Sequence, residues 1–299
     1  MSPALVLVLA VFGISLGGPL TRLSGAPALT VAAGRLAFSL VVVALALVAS
    51  GSWRQLRALK RADLWVALGA GTMLALHFWS WNASLDLTTV SASVVLVDMQ
   101  PAIVGILSIV WLHEHPTRRQ WGGIAIAMVG AVVVTLPDLM REGTGVGARA
   151  LLGDGLAFAG AIAGAVYFVA GRKLRATLDL WPYVAVVYGA CFVVLVLAAQ
   201  ATHVALLPQP PRQLALFAGL ALGPMLLGHT GLNYALRYVP AYVVNLALLC
   251  EPIGATVLAA AIPAIHEFPN WGTIAGGFLV LYGIARATTK GAPAPPVET

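Results

Sequence analysis

Apolar residues along the chain come in charge-free blocks of about 20, and polar and charged residues gather in short connections between them. That block length is what an α-helix needs to cross roughly 30 Å of hydrocarbon. A window of about 19 residues places spans at 3–21, 28–50, 63–84, 91–112, 120–137, 152–171, 181–201, 213–236, 241–264 and 270–287. None of these blocks alternates apolar with polar residues over about ten positions, as the strands of a membrane barrel would. The pattern predicts an all-α integral membrane protein of ten transmembrane helices.

Composition sharpens this picture. Of the 299 residues 60% are hydrophobic and 9% charged, against roughly 25% charged in a soluble domain. A net charge of +6 would suggest nucleic acid as the partner of a soluble protein. Here the basic residues have another reading. With an even number of spans both termini share one side, and the connections on that side carry Arg54, Arg57, Lys60, Arg61, Arg118, Arg119, Arg172, Lys173, Arg175, Arg237, Arg286 and Lys290. The opposite side carries only Arg22, Arg141, Arg149 and Arg212. The excess of positive charge on cytoplasmic loops then puts both termini in the cytoplasm, and no nucleic-acid partner is expected. The N-terminus lacks a basic segment before its apolar stretch, so the first span reads as a retained helix and not as a cleaved signal. Cys191 and Cys250 both fall inside apolar blocks, which argues against a disulfide framework.

Residues 77–134 recur in 228–285, about 150 residues later. Asn82 answers to Asn233, Gln100-Pro101 to Glu251-Pro252, His113-Glu114 to His266-Glu267, and Trp121-Gly122 to Trp271-Gly272. Five spans, an odd number, separate equivalent positions, so the second copy runs through the membrane in the opposite sense. Inverted halves of this kind can exchange conformations and so open one site to either side in turn. The expected organisation is a first five-helix repeat over 1–137, a linker over 138–151, a second repeat over 152–290 and a disordered Pro-rich tail over 291–299.

Polar groups inside a membrane are expensive unless they are paired or face water, so each is a candidate for function. Asp98 and Gln100 precede Pro101 in the fourth span, and Glu251 precedes Pro252 in the ninth. Proline removes a backbone donor from a helix, and interrupted helices at the midplane are where transporters bind solutes. Pro101 and Pro252 are therefore candidate hinges, and Asp98, Gln100 and Glu251 candidate binding groups. His77, Ser80, Trp81 and Ser84 share one helix face by their spacing. Either a cavity wall or helix packing would use such a face, and Trp79 and Trp81 also suit a membrane-interface belt. His77, Trp81, Tyr167, His229 and Asn245 join the candidate site. Arg35 is read as snorkelling or as paired across helices and is left out of the site. Gly153, Ala157, Gly160 and Gly164 form a stripe of small residues that lets helices approach closely.

The segment NASLDLTTVSASVVLVDMQPAIVGILSIVWLHEHPTRRQWGGIAIAMVGAVVV at 82–134 resembles the EamA-type branch of the drug/metabolite transporter superfamily. Pro101, Glu114, Gly122 and Gly130 carry the pattern in the first half, and Pro252, Glu267, Gly272 and Gly276 in the second; Arg35 takes the place of an arginine common in the family's second helix. The resemblance implies two five-helix copies and transport of small metabolites. Export of amino acids, aromatic ones included, is the leading expectation. Export of drugs or other organic cations is the alternative, and a non-transporting receptor or scaffold is the alternative of another class. No nucleophile or acid–base cluster suggests an enzyme. No cofactor or metal site is indicated. The expected partners are a small-molecule substrate and membrane lipid, in the bacterial inner membrane, with the oligomeric state left open.

Overall fold

A computed structural model describes residues 2–84, 86–88, 93, 96–142, 148–251, 253–254 and 271–288. Pro252, Glu267 and the tail 291–299 lie outside the described residues. The described residues contain no strand. The helices are α1 (Pro3–Ser15), α2 (Gly17–Ser24), α3 (Ala28–Ala49), α4 (Arg54–Arg57), α5 (Arg61–Ser84), α6 (Gln100–Leu107), α7 (Arg118–Glu142), α8 (Ala148–Arg175), α9 (Leu180–Ala201), α10 (Pro211–Leu220), α11 (Thr230–Ala235), α12 (Ala241–Leu248) and α13 (Trp271–Thr288). A π-helical turn, Ser108–Leu112, continues α6, and a longer one, Ala221–His229, joins α10 to α11. Pro224 lies inside the second of these turns, where its missing N–H disturbs the regular ladder.

Local chemistry sets several boundaries. Ser2 caps α1 by accepting the Leu5 N–H at 3.3 Å, and Pro3 follows in the first turn, where its lack of a donor is harmless. Gly25 ends α2 at φ 62°, a left-handed conformation that glycine adopts without a side-chain clash. Helix α7 runs on to Glu142 and α8 begins at Ala148, so helix occupies most of the stretch expected to be a linker.

Among the described residues, five stretches are long and apolar enough to cross a membrane: Pro3–Thr21, Ala28–Ala49, Arg149–Arg175, Leu180–Ala201 and Pro211–Ala235. Gln100–Leu112 and Ile274–Thr288 are shorter apolar helices. Helix α5 is as long but sets His77, Ser80, Asn82 and Ser84 within its apolar stretch. The outer faces are as oily as the core: Val41, Leu45 and Val48 of α3 all stand exposed. A helix that is apolar all round needs hydrocarbon on its outside.

The packing repeats between the halves. Helix α5 lies along α8 as α1 lies along 221–235, α5 meets α9 as α3 meets 211–229, and α6 meets α8 as α1 meets α12. The remaining major contacts, α3 with α9, α6 with α12 and α7 with α13, join equivalent helices of the two halves. The α7–α13 crossing is made on glycine. A Cβ on Gly123 would come 2.6 Å from the Gly283 carbonyl, and one on Gly283 would come 2.6 Å from the Gly123 carbonyl.

Candidate functional site

The regular α-helical ladder gives way to tighter turns at Asp98-Met99, just before α6, and again at Leu249-Cys250, just after α12. These are equivalent positions, separated by the same step that carries Asn82 to Asn233. Pro101 falls in the first turn of α6 and is buried, so its missing donor coincides with the interruption. Asp98 reaches the interior with its Oδ2 buried and unpartnered. Glu251 lies within electrostatic reach of both Asp98 and Arg35. Its main-chain carbonyl accepts from Ser15 Oγ at 3.3 Å, which ties the second interruption to α1.

Where α6 crosses α12, Gln100 donates through Nε2 to Asn245 Oδ1, with both residues buried. Gly164 of α8 makes room for this amide pair and for His77: a Cβ there would lie 2.9 Å from His77 Nδ1 and 3.0 Å from Gln100 Cδ. Gly164→Ala is expected to lower stability by about 1–3 kcal/mol, the usual range for overpacking. Gly155→Ala, on the same helix with nothing within 4 Å of its Cβ, is the control. Thermal unfolding in detergent reads both, and equal midpoints would remove the packing role of Gly164.

A second cluster surrounds Phe78, the residue equivalent to His229. The two rings meet edge to face, with centroids 5.3 Å apart. On Phe78 also lies the Arg35 guanidinium, with Cζ 3.7 Å from the ring centroid. Arg35 is 7% exposed and so does not snorkel; its contact across helices is this ring, and the ion pairs among the described residues do not include it. Asn233 Nδ2 donates to Tyr167 Oη at 2.5 Å and to the His229 carbonyl at 2.8 Å. Asn82 repeats the second bond, donating to the Phe78 carbonyl at 2.7 Å. His229 Nδ1 has no partner. Tyr188 and Thr230 share a buried hydroxyl–hydroxyl bond of 3.0 Å next to this cluster.

The polar face of α5 serves mainly as a helix contact. His77 Nδ1 bonds the Gly160 carbonyl at 2.9 Å, Ser80 is buried, and Ser84 Oγ meets Ser93 Oγ at 2.6 Å. The small-residue stripe of α8 is the opposing surface: a Cβ on Gly160 would lie 3.0 Å from Ser80 Oγ, and Gly153 abuts Thr88. Trp79 is 40% exposed and takes the lipid-facing position, whereas Trp81 Nε1 is buried and unpartnered. The candidate residues therefore form two adjoining groups, His77–Gln100–Asn245 and Tyr167–His229 around Phe78. Asp98, Glu251 and Trp81 bring further polar groups, of which Asp98 Oδ2 and Trp81 Nε1 are unpaired. An apolar groove of about 360 Å³ lined by Leu9, Trp181, Leu226 and Tyr234 is a separate feature and meets this centre only at Thr230.

Sequence reasoning missed the ties at the ends of the helices. Arg172 donates through Nε to Glu114 at 2.7 Å, and through Nη1 to the Leu236 carbonyl at 2.7 Å. Arg175 donates to the carbonyls of Asn233 and Leu178. Both arginines are buried, although they sit in a basic run that looks like an exposed loop. Nearby, Asp179 accepts from Arg237 at 2.9 Å and from Gln55 at 2.6 Å. The Arg237 bond, followed by that of Gln55, holds the Asp179 carboxyl below its usual pKa. These bonds connect α8 with both halves at the face of the basic connections. At the opposite face, Ser24 donates to Gln213 at 2.8 Å and Thr88 to Asp154 at 2.6 Å. The first joins α2 to α10, which already pack together, and the second ties the turn after α5 to α8.

A paired interruption flanked by half-buried carboxylates and buried amides, in two halves that pack alike, can be compared with known proteins. The family model described as "EamA-like transporter family" matches residues 1–136 and 151–289. The chain belongs to the EamA-like transporter family. This EamA-like protein is thus an integral, multi-pass membrane transporter of small molecules. A solved structure titled "Crystal structure of protein" is similar at a TM-score of 0.79 and 19% identity, over 96% of each chain. That likeness establishes the fold alone. No curated protein matches the sequence. Glu114, Gly122 and Gly130 are among the residues on which the sequence resemblance rests. The structure gives each a physical role: an ion pair with Arg172, space for Arg286, and backbone contact with Val280.

Proposed function

We propose that this EamA-like protein exports small metabolites, amino acids foremost and aromatic ones among them, from the cytoplasm by alternating access. The reading has ten spans in two inverted halves, 1–137 and 152–290, joined by 138–151, with both termini cytoplasmic in a bacterial inner membrane. Exchange of packing partners between the halves supports the inverted arrangement, and the one-sided basic connections support the orientation. The observation that carries the substrate reading is the unpartnered, buried Asp98 Oδ2 at one of the paired interruptions, within electrostatic reach of Glu251 at the other. A buried carboxylate without a partner is a receptor for a charged donor, and an ammonium group supplies three. Gln100 and Asn245 provide a neutral amide surface, while Trp81 provides apolar area for an aromatic side chain.

Counterflow in proteoliposomes containing only this protein tests the reading. Labelled external amino acid should accumulate when the vesicles are preloaded with the same amino acid. Asp98→Asn should reduce this exchange by about 30-fold, the scale of losing one buried charged partner. Two acidic residues also suit organic cations, so exchange of such cations with none of any amino acid would move the assignment to that class. Folded protein that exchanges neither would support a receptor or scaffold.

A further inference from the structure

Helix α3 has a single charged residue, Arg35, within its apolar run. Its guanidinium lies flat on the Phe78 ring, 3.7 Å from the centroid, and Phe78 is itself braced edge-on by His229. One face is therefore fixed by a cation–π contact. The edge is different: Nε and Nη2 are both buried and neither has a hydrogen-bond partner. The N–H bonds of these two nitrogens run parallel along one side of the guanidinium, the fork that matches the two oxygens of a carboxylate. Glu251 lies within electrostatic reach of Arg35, but the ion pairs among the described residues do not include Arg35. The arginine is thus oriented, shielded and without a hydrogen-bond partner on the edge suited to an oxyanion.

We propose that the Nε/Nη2 edge of Arg35 receives the carboxylate of the transported solute, which makes the site selective for zwitterions over simple cations. This rests on the transport reading above and narrows it: Asp98 and Glu251 take the ammonium group, and Arg35 takes the opposite pole. It also assigns a binding role to a residue whose position in an apolar helix suggested only snorkelling or a structural pair.

The test compares phenylalanine with phenethylamine, which lacks the carboxylate, and with 3-phenylpropanoate, which lacks the amine. Counterflow and ligand-induced thermal stabilisation are measured on the full chain, on Arg35→Gln and on Arg35→Lys. Arg35→Gln should weaken phenylalanine and 3-phenylpropanoate by about 30-fold but leave phenethylamine within about threefold, because only the carboxylate partner has gone. Arg35→Lys keeps the charge without the fork and should fall between; it carries the same comparison if the glutamine variant does not fold. Equal weakening of phenylalanine and phenethylamine would mean a structural role and overturn the proposal, as would unchanged phenylalanine binding. If the unmodified protein exchanges no amino acid, the amino-acid reading fails. The Arg35 assignment then stands if 3-phenylpropanoate stabilises the unmodified protein and not Arg35→Gln, and falls if it stabilises neither.

Discussion

Glu114→Ala is expected to lower the stability of the detergent-solubilised protein by about 3–5 kcal/mol, the scale of breaking a buried ion pair from one side. The reason is what remains. Arg172 is 6% exposed, and its Nε would lose the carboxylate 2.7 Å away while keeping only the Leu236 carbonyl on Nη1. A lone buried guanidinium is costlier than either a complete pair or an apolar replacement of both partners. Glu114→Leu combined with Arg172→Met should therefore recover most of the stability that Glu114→Ala loses. Denaturant midpoints for the parent, the single variant and the double variant read this directly. A Glu114→Ala protein as stable as the parent would show that the pair contributes nothing.

The second large effect belongs to the α7–α13 crossing. Gly123→Val should destabilise by about 3 kcal/mol or more, beyond the usual overpacking range, because the obstacle is main chain and not a movable side chain. A Cβ at this position would lie 2.6 Å from the Gly283 carbonyl and 2.8 Å from the Ala287 nitrogen. Relief requires the two helices to separate along their contact, including at Gly130, where a Cβ would lie 2.7 Å from the Val280 nitrogen. Gly69→Ala and Gly189→Ala meet nothing within 4 Å and sit in helices, so each should be neutral or gain up to about 1 kcal/mol from helix propensity. Loss of folded protein at Gly123→Val with retention at Gly69→Ala, measured by gel filtration and thermal unfolding, is the expected pair of results. Retention of both at parental stability would refute close backbone contact.

The helical segments and the interruptions were legible because they depend on local chemistry. Long apolar blocks demand helices in hydrocarbon, and a polar residue followed by proline marks a break; Asp98 and Pro101 illustrate both. The packing role of Gly153, Gly160 and Gly164 followed from their spacing. The direction in which each polar side chain faces was less legible, since it depends on how a helix rotates against partners far along the chain. His77 and Ser80 turned towards α8 and became packing groups. Arg172 and Arg175 read as loop charges because the acceptors that bury them, Glu114, Leu236 and Asn233, lie about 60 residues away in sequence, Leu178 alone being local. For Arg35 the burial excludes snorkelling and leaves the contact across helices, but nothing near it in the chain announces Phe78 as the partner. A signal did exist for one of these features. Asn82 and Asn233 recur between the halves, and both prove to bind the carbonyl one turn earlier on their own helix.

Phe78 and His229 hold equivalent places and touch each other, which bears on how such a carrier rests. Were the halves identical, exchanging their shapes would convert the form open to one side into the form open to the other with no change in internal energy. Each form would then be equally populated. Dissimilar residues at equivalent places lift that degeneracy, and a difference of about 1.4 kcal/mol already gives a tenfold preference. In the alternating-access cycle proposed above, a hydrocarbon ring at the place of an imidazole, and Gln100 at the place of Glu251, would make the two forms chemically distinct. Divergence at such pairs is how a carrier built from a duplicated half acquires a preferred resting side.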